Sequence, residues 1–337
     1  MAQFSHIRPA LDRSQRIAYH RPIVNKQLLL TEDGMFGFLP GSVRGIVTFC
    51  LLVINFLFWL VPLLPFALVK VAFPINLVRQ PLNVILNALC TFWAVGNELI
   101  LKITTDIKWK IIGDDELSMK DWYLVLSNHQ SWTDILVLQF VLNNRIPYFR
   151  FFLKQELIWL PIFNFIFIAL DYPYMKRYSK EFIKKNPHLK GKDLETTKKS
   201  CERFKEIPVS VMNFVEGTRF SQKKHEKQKS PYKYLLNPRA GGIAFVLGAM
   251  GEYLTSILDV AISYNPKAMG IWDMLCGRIK EVQVTINKIP LSNDIIGNYF
   301  EDEDFKNRFQ SWVNQLWLNK DQVLEGQRKQ LISPEQP

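Results

Sequence analysis

The chain reads Trp122-Tyr-Leu-Val-Leu-Ser-Asn-His-Gln-Ser-Trp-Thr-Asp134 where a short apolar run gives way to polar residues. The run from Trp122 to Leu126 is rich in residues that favour strands. After Asp134 the residues Ile135 to Leu142 are apolar again, which fits a buried helix. This order predicts a strand followed directly by a helix, the junction at which α/β sheets display reactive side chains.

His129 and Asp134 lie within this junction, five positions apart. A neutral imidazole accepts a proton near pH 7, and a carboxylate fixes its tautomer and stabilises the imidazolium. A structural alternative fits the same residues, with Ser131 as the N-cap of the helix and Asp134 completing a capping box. The two interpretations are compatible, because a cap that fixes Asp134 also aims its carboxylate at His129.

Three separate blocks stand out along the chain. The first, Asn128–Asp134, places four residues between a His and an Asp. The second, Phe214–Ser221, reads Phe-Val-Glu-Gly-Thr-Arg-Phe-Ser, and the third, Lys154–Leu157 followed by Leu160-Pro161, lies between them. The first block resembles the H-x4-D motif of the glycerolipid acyltransferases, the second resembles their F-P-E-G-T-R-S block, and the third resembles the block between those two. Their order along the chain and their rough separations also match. The similarity is to the 1-acyl-glycerol-3-phosphate O-acyltransferase (lysophosphatidic acid acyltransferase) family.

This resemblance extends over about residues 105 to 320 and departs from the family pattern in two places. Val215 stands where Pro is usual, and Phe220 is inserted before Ser221. The long basic stretch after Tyr174 is most similar to a bacterial inner-membrane subgroup of the family.

The resemblance implies an enzyme, an O-acyltransferase that moves a fatty acyl group from acyl-CoA or acyl carrier protein to a lysophospholipid. The expected reaction converts lysophosphatidic acid to phosphatidic acid. His129 is then the general base and Asp134 its orienting partner, with direct attack by the acceptor hydroxyl. Neither a metal nor an organic cofactor is expected, and no nucleic acid is expected as a partner. The expected substrate-binding residues are Lys154, Arg177, Glu216, Gly217, Thr218 and Arg219.

The loop Glu216–Arg219 follows a predicted strand, and Gly217 permits close approach of the backbone to a ligand. Arg219 offers a two-pronged donor for a phosphate, and Glu216 an acceptor for a glycerol hydroxyl. The structural alternative is an ion pair between Glu216 and Arg219 within a turn. Other functions remain open: a different lysolipid acceptor, thioester hydrolysis, or a non-catalytic membrane tether that binds anionic lipid or RNA.

Length and charge set the broad class of protein. The chain has 337 residues, 48% of them hydrophobic, and a net charge of +11. This length allows one large domain or two small ones with a sizeable core. The basic balance suits phosphate-bearing partners: nucleic acid, anionic lipid headgroups, or a phosphorylated substrate with coenzyme A. The cysteines indicate neither a disulfide framework nor a zinc site, because they are scattered: Cys50, Cys90, Cys201 and Cys276.

The hydrophobic segments divide the chain into three parts. Residues 1–43 are a basic N-terminal segment, residues 44–101 a predicted membrane-inserted helical hairpin, and residues 102–337 the predicted acyltransferase domain. Within the hairpin, Gly45–Val69 has no charged residue and would span about 37 Å as a helix, enough to cross a bilayer core. Gln80–Asn97 predicts a returning span or an interfacial helix. Pro62 and Pro65 predict a kink or break in the first helix. A re-entrant hairpin therefore stays an alternative to a full span.

Topology follows from the number of crossings. Basic residues before Gly45 favour a cytoplasmic N-terminus. One full span would place residues 105–337 outside, whereas a hairpin or two spans would return them to the cytoplasm, which holds acyl-CoA and acyl carrier protein. We therefore expect the catalytic domain on the cytoplasmic side, and the resemblance to the bacterial inner-membrane subgroup implies that the membrane is the bacterial inner membrane.

From Lys108 onward strands and helices alternate, which predicts an α/β fold with a mixed sheet flanked by helices. The predicted strands are Lys108–Ile112, Trp122–Leu126, Pro208–Val215, Ile257–Tyr264 and Val282–Ile286. The predicted helices include Leu194–Phe204, Ala240–Leu254 and a C-terminal segment with apolar residues at helical spacing: Phe305, Phe309, Trp312 and Leu316.

Overall fold

The structure is a computed structural model that describes residues 27–28, 35–113, 116–154, 161–172, 174–175, 192–205, 207–265 and 270–332. Its strands are β1 (Gln27–Leu28), β2 (Lys108–Ile112), β3 (Tyr123–Ser127), β4 (Phe149–Phe151), β5 (Leu153–Lys154), β6 (Tyr174–Met175), β7 (Ser210–Phe214), β8 (Ser256–Tyr264) and β9 (Glu281–Pro290). Its α-helices are α1 (Gly41–Ala72), α2 (Asn76–Thr104), α3 (Thr133–Leu142), α4 (Pro161–Ala169), α5 (Lys192–Cys201), α6 (Gln222–Gln228), α7 (Ala240–Met250), α8 (Ile271–Leu275) and α9 (Glu303–Ile332). Short 3₁₀ turns cover Glu202–Phe204 and Asn293–Ile295.

Seven of these strands form one mixed sheet in the order β1-β2-β9-β8-β3-β7-β4. Strand β3 is central and runs parallel to both β7 and β8. Its last residue, Ser127, lies opposite Phe214 of β7 and Val260 of β8. The carboxyl ends of parallel strands meet at one edge of a sheet, so the chain that leaves β3 and the chain that leaves β7 emerge together.

The alternation of side chains along β3 divides the core into two layers. Leu124 and Leu126 pack with α7 and α9 on one face of the sheet. Tyr123 and Val125 pack with α3 on the other face. All five residues of β3 are buried, which accounts for the continuous apolar run that predicted this strand. The predicted α/β fold with a mixed, helix-flanked sheet is confirmed.

Two long apolar helices, α1 and α2, lie between β1 and β2 in the chain and pack against each other as a hairpin. Helix α1 continues through Pro62 and Pro65 to Ala72, so the prolines do not break it. The helices approach closely at Gly96, where an added Cβ would lie 2.3 Å from Oδ1 of Asn55. Asn55 also donates to the Trp93 carbonyl at 3.0 Å. Both helices are long and apolar enough to cross a membrane by length and composition, which supports membrane association.

Both ends of this hairpin are attached to the rest of the chain by charged side chains. At the turn, Asp171 pairs with Lys70 at 2.5 Å and with Arg79 at 2.8 Å. At the start of α1, Arg44 pairs with Asp106 at 3.1 Å. Helix α1 is about 48 Å long at 1.5 Å per residue, and contacts to α4 and α8 accompany these pairs. The hairpin therefore lies along the domain and does not project from it.

The side of α1 that faces away from the domain is apolar. Its exposed residues recur every three or four positions, as expected for one face of a helix: Ile46, Phe49, Val53, Leu57 and Val61. A contiguous apolar face of this size is typical of contact with lipid or another protein.

Candidate active site

His129 lies in the loop between β3 and α3, and its Nδ1 is 2.8 Å from Oδ2 of Asp134. The Asp134 side chain is fully buried, and the His129 side chain is 14% exposed. Because a carboxylate only accepts hydrogen bonds, Nδ1 carries the proton of the neutral imidazole. Nε2 is then the nitrogen left with a lone pair, as a general base requires.

Asp134 is held by several donors besides His129. Its Oδ2 accepts from the backbone N–H groups of Gln130 at 2.5 Å and Ser131 at 2.9 Å. Its Oδ1 accepts from the hydroxyl of Tyr264, the last residue of β8. These bonds fix the position of the carboxylate before any substrate arrives.

The predicted capping box forms only in part. Asp134 does reach back to the Ser131 N–H, as a capping box requires. Ser131 Oγ instead accepts from the N–H of Thr133 at 3.2 Å, and the helix begins at Thr133 after Trp132. The capping and catalytic interpretations thus share one carboxylate, which orders the loop and contacts His129.

The loop that carries His129 is anchored to both neighbouring strands. The Asn128 side chain donates to the Ile262 carbonyl at 3.0 Å and accepts from its N–H at 2.9 Å. The His129 carbonyl accepts from the N–H of Phe220 at 2.7 Å. The imidazole stacks on Phe214, with ring centroids 3.9 Å apart and planes 14° apart. The end of β7 and the loop after it therefore help to set the orientation of the His129 ring.

Glu216 is buried beneath this loop, with 1% of its surface exposed. Its Oε2 accepts from the His129 N–H at 3.0 Å, and its Oε1 accepts from the Leu236 N–H at 2.9 Å. Burial raises the pKa of Glu216 to about 8. Both oxygens are therefore engaged by backbone amides, and the alternative of a Glu216–Arg219 ion pair is not formed.

The three residues that follow Glu216 in the second block lie at or near the surface, next to the His129 loop. Gly217 has φ +65°, and an added Cβ would lie 2.9 Å from Cδ of Arg239; both reasons favour glycine. Thr218 accepts from Lys224 Nζ at 2.7 Å. The guanidinium carbon of the exposed Arg219 lies 5.2 Å from the ring centre of Trp132. Trp132 is three residues from His129 in sequence.

The two departures from the usual second block each make a backbone contact at the site. The N–H of Val215 donates to the Ser127 carbonyl at 3.2 Å, a bond that proline would not make. The N–H of the inserted Phe220 bonds to His129, as described above. Ser221 becomes the N-cap of α6, where its side chain accepts from the Lys224 N–H. The departures thus keep the second block against the His129 loop.

The third block is only partly described. Lys154 lies in β5, which runs parallel to β6 with Lys154 opposite Met175. The side chain of Lys154 and the whole of Arg177 lie outside the described residues. Their expected role in phosphate binding stays a prediction.

Sequence reasoning missed two residues that contact the His129–Asp134 pair, namely Tyr264 and Phe214 as a ring neighbour. A signal was available, because both were predicted near the ends of strands and parallel strands end at a common edge. The order of strands in the sheet was required to use it.

Fold and site together define a class: an α/β domain with a buried carboxylate and a histidine at the carboxyl end of its central strand. Residues 108–263 match the family described as Acyltransferase. The matched residues include His129, Asp134 and Glu216–Arg219.

Individual relatives agree with this family. The 1-acyl-sn-glycerol-3-phosphate acyltransferase delta of Mus musculus is 24% identical over 198 residues, 55% of this chain and 47% of the relative. The 2-acyl-1-lysophosphatidylinositol acyltransferase of Saccharomyces cerevisiae is 24% identical over 245 residues, 61% of this chain and 62% of the relative. The chain thus spans about half the length of the mouse relative. A solved 1-acyl-sn-glycerophosphate (LPA) acyltransferase from Thermotoga maritima aligns with TM-score 0.47 and 14% identity, over 84% of this chain and 98% of that chain.

Proposed function

We propose that this protein is a membrane-bound acyltransferase that moves a fatty acyl group from an acyl thioester to the hydroxyl of a lysophospholipid. Lysophosphatidic acid is the favoured acceptor, and phosphatidic acid the favoured product. The observation that carries the proposal is the 2.8 Å contact between His129 Nδ1 and the buried Asp134, inside a segment that matches the family described as Acyltransferase.

The reaction needs one base and no covalent enzyme intermediate. The acceptor hydroxyl attacks the thioester carbonyl carbon while its proton passes to Nε2 of His129. The tetrahedral intermediate then expels the thiolate, which takes the proton from the imidazolium and leaves as the free thiol. By accepting a hydrogen bond, Asp134 keeps the proton on Nδ1 of His129, and its negative charge stabilises the imidazolium.

Glu216 acts in this scheme through the backbone of His129. A carboxyl group that accepts from both the His129 and Leu236 N–H groups holds the His129 loop against the loop that precedes α7. Its engagement with two amides makes positioning a better assignment than direct binding of a glycerol hydroxyl. Gly217 and Thr218 shape the surface that leads from Glu216 to Arg219.

Arg219 is the proposed phosphate clamp for the acceptor. Its guanidinium is exposed and lies over the half-exposed ring of Trp132. Such a contact leaves the edge of the guanidinium, which carries its N–H donors, available to phosphate oxygens. Trp132 begins the turn that follows the His129 loop, so a phosphate on Arg219 would lie near the acceptor hydroxyl.

Arg219→Lys is expected to raise the acceptor KM about 10-fold or more for lysophosphatidic acid, because an ammonium does not reproduce the planar pair of donors. The KM for the acyl donor should change much less. Steady-state kinetics in both substrates, with a melting curve on the same preparation, measures this. A phosphate-free lysolipid is the matched control, and equal losses on both acceptors would refute the clamp.

The acyl donor is proposed to be acyl-CoA or acyl carrier protein, supplied from the cytoplasm. A hairpin whose turn is bound to Asp171 supports an in-plane anchor, since both ends of α1 stay beside the domain. The catalytic domain and the N-terminal end of α1 then lie on one side of the membrane. Assignment to a bacterial inner-membrane subgroup rests on the basic stretch after Tyr174, most of which lies outside the described residues, and stays a prediction.

This topology predicts the labelling of introduced cysteines by a membrane-impermeant maleimide. In a Cys50→Ser background, Gln322→Cys on the exposed side of α9 should react only from the cytoplasmic side of oriented vesicles. Gln322 is chosen because the nearby Lys320 is buried. Leu77→Cys at the hairpin turn should stay unreactive from the opposite side. Reaction of Leu77→Cys from that side alone would show a spanning hairpin.

The function itself is tested by incubating purified protein with labelled acyl-CoA and a panel of lysolipids, followed by lipid mass spectrometry. Labelled phosphatidic acid as the main product supports the proposal. A different labelled phospholipid would change the acceptor, and the yeast relative named for lysophosphatidylinositol makes that lipid the second member of the panel. Labelled free fatty acid alone would indicate thioester hydrolysis, and no product in any mixture would favour a non-catalytic tether.

A further inference from the structure

Helix α9 begins 40 residues after the segment that matches the family, yet its polar side chains reach the loops of the active site. Four of them bond to those loops or to the strands that carry them: Trp317, Lys320, Asp321 and Arg328. Lys320 and Arg328 are eight residues apart, so they share one face of the helix. This face of α9 packs against the loops and strands that form the site.

Arg328 makes the most direct contact with the His129 loop. Its Nη2 donates to Oε1 of Gln130 at 2.9 Å, and the Gln130 Nε2 donates to the Ile262 carbonyl at 2.6 Å. The guanidinium also lies 4.5 Å from the ring centre of Tyr234. Both polar atoms of the Gln130 side chain are thus hydrogen-bonded. The backbone N–H of the same residue donates to Asp134.

Lys320 makes a second contact from the same face. It is 1% exposed, and its Nζ donates to the carbonyls of Leu126 at 3.0 Å and Val260 at 2.6 Å. It also pairs with Asp259 at 2.7 Å. A buried ammonium with three partners fixes the end of β3 and the middle of β8 relative to α9.

Two more residues of α9 hold the loop that contains the amide partner of Glu216. Asp321 accepts from the N–H groups of Lys233 and Tyr234, both at 2.8 Å. Trp317 donates to the Leu236 carbonyl at 2.9 Å. Helix α9 therefore bonds to the same loop from which the Leu236 N–H donates to Glu216.

From these contacts we propose that α9 is a positioning element of the acyltransferase site and that Arg328 is the residue through which it aligns the His129 loop. Arg328 fixes Gln130, and Gln130 fixes the backbone that presents His129 to Asp134. The role in catalysis rests on the proposed function, whereas the ordering of the loop does not.

Arg328→Met tests this role, because methionine keeps much of the side-chain length without the donors. We expect kcat to fall about 10-fold to 100-fold, the range that small misplacements of a catalytic group produce, with both KM values nearly unchanged. Arg328→Lys should recover part of the lost kcat, since an ammonium still donates one bond to Gln130. Arg308→Met is the matched control, because Arg308 is an exposed arginine of the same helix and should behave as wild type.

A double-mutant cycle with Gln130→Ala isolates the contact. If Arg328 acts through Gln130, the double variant should lose little more kcat than either single variant. Additive losses would assign the effect of Arg328 to another path and overturn the proposed link.

Hydrogen exchange provides a readout that does not depend on turnover. In Arg328→Met the amides of residues 128–132 should exchange faster while those of β3 stay protected. Unchanged loop exchange together with wild-type kcat would overturn the inference, as would uniformly faster exchange with a lower Tm and no separation of kcat from KM. If wild type itself transfers no acyl group, the proposed function fails, and the local exchange result still decides whether α9 orders the loop.

Discussion

Replacing His129 by alanine is expected to lower the rate of acyl transfer by about 10² to 10⁴-fold, the usual cost of losing a general base. The fold should survive, because the loop is held through the His129 backbone. Its N–H bonds to Glu216 and its carbonyl accepts from Phe220, and alanine keeps both. The lost stacking on Phe214 should cost only a modest amount of stability. Turnover of labelled acyl-CoA with lysophosphatidic acid measures the rate.

His225→Ala provides the matched control for this prediction. His225 lies on α6 and bonds through Nε2 to the Tyr232 carbonyl at 2.6 Å, not to His129 or Asp134. Its removal should leave kcat close to wild type. A well-folded His129→Ala protein with near-normal turnover would rule out the proposed mechanism.

Asp134→Asn is expected to have the second large effect, a fall in kcat of up to about 10⁴-fold, as for the carboxylate of a hydrolytic triad. An amide no longer stabilises the imidazolium, and its NH₂ group presented to His129 would hold the wrong tautomer. Unlike His129→Ala, this variant should also lose stability. The carboxylate accepts from two backbone amides and Tyr264, and each buried donor left unpaired costs about 1 to 3 kcal/mol.

Tyr264→Phe separates these two consequences. It removes one donor to Asp134 and keeps the negative charge and the His129 contact, so its kcat should fall much less than that of Asp134→Asn. Activity assays and melting curves on wild type, Asp134→Asn and Tyr264→Phe make the comparison. An Asp134→Asn protein with wild-type kcat and a lowered Tm would show that the carboxylate is only a helix cap.

The candidate site could be predicted only as far as its local sequence reaches. The contact between His129 and Asp134 was predictable because they lie only five positions apart, where a loop enters a helix. The role of Glu216 was not, since a loop Glu followed by Gly and Arg fits a surface acceptor as well as a buried carboxyl. Only the burial of Glu216 against two amides decides between these. The Glu216–Arg219 ion pair was the structural alternative in sequence, and the structure does not form it; Glu216 bonds to the two amides.

The hairpin shows the same limit on a larger scale. Length and hydropathy predicted both of its helices, because a long uncharged segment satisfies its own backbone hydrogen bonds as a helix. They did not predict that Lys70 and Arg79 would share Asp171, about 100 residues further along the chain. That contact, and not the composition of α1, makes the hairpin lie along the domain.

By itself, the sequence determined the elements: the buried strand before His129, the helix after it, and the alternation that specifies an α/β domain. Such patterns are local, since side-chain periodicity records which face of an element is buried. The tertiary structure alone decided that β3 lies between β7 and β8, and that Tyr264 and Arg328 meet the His129 loop across separations of 130 and 198 residues. A periodic pattern states that a face is covered but not which distant segment covers it, because that choice depends on the order in which the strands pair.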